Sequence, residues 1–143
     1  MKKAIRAIVL LAALSFFAVS CTKSTMNTIA ITGYWELIRT VVTEDGRVIK
    51  DVGPAQDNML TFYRFVRNGV VTREKRAIGG ESTVSGRWYV EGNTLLMTLL
   101  GEESKSYHIE KAGLLKLILT LTEYRDGKEY ITTLTLSNSS SSD

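Results

Sequence analysis

The chain has 143 residues, 44% of them hydrophobic, and contains one histidine, one cysteine and one proline. Its 18 basic and 15 acidic residues give a net charge of +3, but Lys2, Lys3 and Arg6 carry that excess and the remainder of the chain is neutral. This balance excludes recognition of nucleic acid by bulk charge, and one histidine with one cysteine cannot build a nitrogen or sulfur metal site.

The three basic residues precede an uncharged apolar run, Ala7 to Val19 (AIVLLAALSFFAV), that ends in small residues. This is the pattern of a secretory signal peptide over residues 1–20. The run is too short for a spanning helix, which needs about 20 apolar residues to cross ~30 Å of hydrocarbon. Cys21 follows Ala18-Val19-Ser20 directly. This arrangement resembles the lipobox of bacterial lipoproteins, and the resemblance implies cleavage before Cys21 and lipidation of its thiol. Two or three acyl chains, at about 0.8 kcal/mol per buried methylene, would hold the protein durably on a membrane. Thr22-Lys23-Ser24-Thr25 contains no acidic residue. By the same resemblance, this implies an outer-membrane anchor facing the periplasm.

Residues 21–32 read as the lipidated N-terminus and a polar tether ending in a strand, whose last eleven residues would reach ~36 Å when extended. Residues 33–137 then alternate short Val-, Ile-, Thr-, Tyr- and Leu-rich runs with turn residues, an all-β signature. Strands are expected over 33–43, 46–52, 58–66, 69–77, 82–91, 93–100, 104–111, 114–124 and 128–137. Asp45-Gly46, Asn68-Gly69, Gly92-Asn93 and Asp126-Gly127 are tight-hairpin dipeptides, so successive strands should pair antiparallel. A short helix fits PAQDN at 54–58. A meander of eight or nine strands with open edges would pair with other chains, and closure into an up-and-down barrel removes those edges. Residues 138–143 form a serine-rich tail expected to be disordered.

Alternation supports a barrel with one dry face. Leu115, Leu117, Leu119 and Leu121 oppose Lys116, Thr120 and Thr122, and Val84, Gly86, Trp88 and Val90 oppose Ser85, Arg87 and Tyr89. The early Gly33-Tyr34-Trp35 and the later Gly86-Arg87-Trp88 are both Gly-x-Trp motifs, and Leu60 to Phe65 (LTFYRF) leads into Asn68-Gly69. With these motifs, residues 30–137 resemble the small lipocalin-like domains found as lipoproteins in Bacteroidetes. The resemblance implies that Trp35 plugs the closed end of the barrel. The later arginine that often covers this tryptophan in lipocalins has no counterpart beyond Arg125, which sits beside a turn.

Ser106, His108 and Glu110 share one face of a strand, a superficial triad. Same-face neighbours on a strand are nearly 7 Å apart and project in parallel, whereas a nucleophile and its base must converge to about 3 Å. The sequence is therefore read as non-enzymatic, and no motif calls for a cofactor. The basic stretch around Arg64, Arg67, Arg73, Lys75 and Arg76 reads as a solvated hairpin or as a contact surface for an acidic partner. If the interior is open, Leu60, Phe62, Trp88, Met97, Leu117 and Leu119 are its candidate lining, with Tyr107 as a polar contact. A packed core would use the same residues. The expected partners are the membrane, through the N-terminal lipid, and a small hydrophobic ligand. The alternative is a packed barrel acting as an envelope scaffold, inhibitor or immunity-type protein that binds another protein.

Overall fold

The computed structural model describes residues 23–139, so the signal-peptide reading, Cys21 and residues 140–143 of the serine tail lie outside the described residues. Helix α1 spans residues 23–31, and nine strands follow. They are β1 (Gly33–Glu44), β2 (Arg47–Val52), β3 (Met59–Phe65), β4 (Val70–Ala77), β5 (Gly80–Glu91), β6 (Thr94–Leu99), β7 (Lys105–Ala112), β8 (Lys116–Arg125) and β9 (Lys128–Asn138). A one-turn helix α2 (Pro54–Asp57) separates β2 from β3.

All neighbouring strands pair antiparallel, and β1 also pairs with β9, which closes an eight-stranded barrel from β1 and β3 to β9. The ninth strand, β2, lies outside that ring. Along one edge, β1 pairs with β3 over Gly33–Glu36 and with β2 over Thr40–Glu44. A bulge between Leu37 and Arg39 bends β1 between the two pairings.

The hairpins follow their turn chemistry. Asp45-Gly46 and Asp126-Gly127 each place two consecutive residues at positive φ, which matches the twist of the flanking strands. Gly86 serves a different need: a Cβ there would run into the Thr98 carbonyl oxygen and lie 2.7 Å from the Leu99 Cα. Only a residue without a side chain lets β5 pass so close to β6.

The 21–32 segment departs from the expected tether. Its described part is helical and covers one end of the barrel. The Asn27 amide donates to the Gly92 carbonyl at 2.8 Å, and the Gly92 N–H donates to the Ser24 hydroxyl at 2.7 Å. Ile31 is fully buried, and its carbonyl accepts the Trp35 indole N–H at 2.8 Å. A short Thr- and Asn-containing helix has little stability of its own, so packing on the barrel holds it. The tail also begins later than expected. Asn138 belongs to β9, its side chain donates to the Leu114 carbonyl, and the Ser139 N–H bonds to the Tyr34 carbonyl.

Candidate functional site

The closed end is densely packed. Trp35 is only 1% exposed, and Phe65 meets Trp88 edge-on with ring centres 5.3 Å apart. The Trp88 indole donates to the Val66 carbonyl at 2.9 Å. The Trp35 indole donates instead to the Ile31 carbonyl, the last of α1 and one of the backbone acceptors that a helix end leaves unpaired.

The opposite end opens into a cavity of about 200 Å³ lined by residues of β3, β4 and β6 to β9. Met97, Leu99, Leu121 and Leu134 form its apolar wall, and Tyr63, Arg73 and Tyr107 bring polar groups inside. Glu102, Glu103, Lys105 and Glu123 stand at the mouth. Arg73 makes a two-point contact with Glu102, with Nη1 to Oε1 at 3.1 Å and Nη2 to Oε2 at 2.6 Å. The hydrogen bond from Arg73 holds the Glu102 carboxyl below its ordinary pKa. Burial raises the pKa of both the Tyr63 and Tyr107 phenols, so both remain protonated donors at neutral pH. The Arg73 guanidinium also interacts with the Tyr63 hydroxyl, while its Nε is buried and has no hydrogen-bond acceptor. An unmet buried donor costs about 1–3 kcal/mol and is a position that an acceptor can fill.

This polar group is the feature that sequence reading missed. The sequence places Arg73 on a solvated hairpin or a contact surface for an acidic partner, but its side chain is only 16% exposed and it pairs in register with the buried Tyr63. Strict alternation from the buried Val71 would have placed it inside. Glu102 comes from the β6–β7 turn, and no local pattern in the sequence links that turn to β4.

Of the candidate lining residues, Met97 and Tyr107 face the cavity. Trp88, Leu117 and Leu119 are buried in the continuous core. Leu60 and Phe62 do not share the interior. The inward residues of β3 are Thr61, Tyr63 and Phe65, so the even-numbered positions point outward. Leu60 is 40% exposed. Phe62 is buried on the outer surface, stacked on Tyr34 at 5.2 Å, with the Arg76 guanidinium 4.9 Å above its ring. Tyr34 in turn donates to Glu74, which also pairs with Arg76. Ser106, His108 and Glu110 lie on the exposed outer face of β7.

No family model matches the sequence, and no curated protein is significantly similar to it. Solved structures do match. A lipocalin-like protein from Bacteroides uniformis superposes with a TM-score of 0.55 at 19% identity, covering 76% of this chain and 98% of that one. Lobster apocrustacyanin A1 superposes at 0.55 with 14% identity, covering 85% of this chain and 68% of that one. Together with the closed antiparallel meander, the helix over one end and the cavity at the other, these likenesses establish that the chain has a lipocalin-like fold.

Proposed function

We infer that the protein is a non-enzymatic carrier or sensor of a small amphiphilic molecule, tethered to the periplasmic face of a bacterial outer membrane by a lipid on Cys21. The observation that carries the binding reading is the unmet Arg73 Nε donor beside an apolar wall. A ligand with a hydrogen-bond-accepting or anionic head and a short apolar body would satisfy both. Barrels of this size accommodate one such molecule. The lipobox-like Ala18-Val19-Ser20-Cys21 supports the anchor.

A second reading draws on the size of the cavity. At about 200 Å³ it lies below the ~300–1,000 Å³ of most small-molecule sites, as a barrel acting through its outer surface would. Native mass spectrometry of protein purified from its host envelope, followed by organic extraction, separates the two readings. Carriage predicts a stoichiometric bound molecule, and Arg73→Met should abolish it while the barrel remains folded. Protein that is empty, and whose melting temperature does not respond to short- and medium-chain carboxylic acids, would overturn the carrier reading in favour of the packed module.

A further inference from the structure

The end of the barrel opposite the cavity carries an exposed apolar patch. Met26 and Ile29 stand on the outer side of α1, one turn apart, and Leu114 and Leu115 form the tip of the β7–β8 turn. Leu114 is 90% exposed, the second most exposed large apolar side chain among the described residues. Met26, Ile29 and Leu114 line one shallow groove together with Ala112 and Asn138, so the helix and the turn form a single surface. Lys23, Lys111 and Lys116 are exposed on the same segments, and Glu91 and Glu110 lie on the adjoining β5–β7 side. Apolar side chains bordered by lysines suit the boundary between acyl chains and anionic headgroups.

The position of Lys23, at the start of α1, narrows the occupant. From Lys23, two residues lead back to Cys21, a reach of only ~7 Å. A lipid on Cys21 would therefore bring this end of the barrel to the bilayer. We propose that Met26, Ile29, Leu114 and Leu115, with their flanking lysines, seat the closed end of the barrel on an anionic phospholipid surface, so that the cavity mouth points away from the membrane. The inference rests on the reading of Cys21 as the lipid-bearing residue. Four side chains are too few to hold a protein on a membrane alone, and their role is to fix orientation once the lipid supplies the affinity.

The test uses the full chain, purified from membranes of expressing bacteria and reconstituted in phosphatidylethanolamine–phosphatidylglycerol vesicles that contain a nitroxide lipid. A fluorophore is attached to Leu114→Cys at the patch or to Glu103→Cys at the mouth, and the mass of the N-terminal peptide is recorded in parallel. The seat predicts quenching several-fold stronger at 114 than at 103. It also predicts that this ratio collapses towards one when Met26→Glu and Ile29→Glu are added, with the N-terminal mass unchanged. Equal quenching at the two labels with a lipidated Cys21 overturns the seat and leaves the anchor standing. An unmodified Cys21 overturns the anchor reading and the seat with it. Self-association through this patch, seen as a 114 label already shielded in vesicles without nitroxide lipid and as a dimer on cross-linking, also overturns the membrane seat.

Discussion

At the closed end the Trp35 indole N–H is hydrogen-bonded, the ring is almost fully buried and a helix covers it. At the open end the Arg73 guanidinium is inside the barrel with one N–H unpaired, and acidic side chains crowd the mouth. The same barrel thus satisfies every donor named at one end and leaves one unmet at the other. Stability concentrates where packing and hydrogen bonding agree, and a local misfit persists where a ligand can resolve it.

Replacing residues at each end tests this contrast. The largest effect is expected for Trp35→Ala, which should cost about 3–5 kcal/mol in urea unfolding because it leaves a cavity that α1 cannot fill. Trp35→Phe keeps most of the volume and removes the indole bond to Ile31, so it should cost about 1 kcal/mol. A similar cost for both variants would mean that the hydrogen bond, rather than the packing, holds the closed end. Gly86→Ala should destabilise by about 1–3 kcal/mol, because β5 must move away from the Thr98 carbonyl. A neutral result in thermal melts would show that the two strands can separate freely.

The smallest effect is expected at the mouth. Glu102 titrates below its ordinary value of 4.5, so its pairing with Arg73 stabilises the fold fully above pH 4.5 and is lost as the pH falls through the lowered folded-state value. The pair is partly solvated and should contribute less than about 1 kcal/mol. Glu102→Gln should therefore flatten a small part of the acid limb of a stability–pH curve. Glu44 and Asp51, whose pKa values are lowered by Lys128 and Arg39, should retain theirs. An acid limb unchanged by the variant would show that the Arg73–Glu102 contact has no energetic role.

Strand positions were readable because period-2 alternation and Asp-Gly or Asn-Gly turns are local signals, and the observed strands fall within three residues of the expected limits. In the two Gly-x-Trp motifs, Trp35 and Trp88 are buried, and Gly86 sits at a close approach of backbones. Helix α1 was not legible, because its sequence has weak helix propensity and its stabilising contacts are with the distant β5–β6 turn. The inward face of β3 was misassigned because both of its faces are aromatic. Phe62 satisfies burial outside the barrel through Tyr34 and Arg76, a contact that alternation alone does not reveal. The Arg73–Glu102 pair depends on two segments 29 residues apart that meet only once the barrel has closed.

The pairing of β1 with β9 has a consequence for the order in which the structure can assemble. Trp35 pairs with Asn138 across about a hundred residues, so one edge of the first strand finds its partner only when nearly the whole chain is present. Whether the chain emerges from a ribosome or from a translocation pore, the hairpins from β3 to β8 can form as they appear, while the ring stays open until the last strand arrives. A truncation that removes β9 would therefore be expected to leave exposed edges on β1 and β8, and those edges would seek partners in other chains.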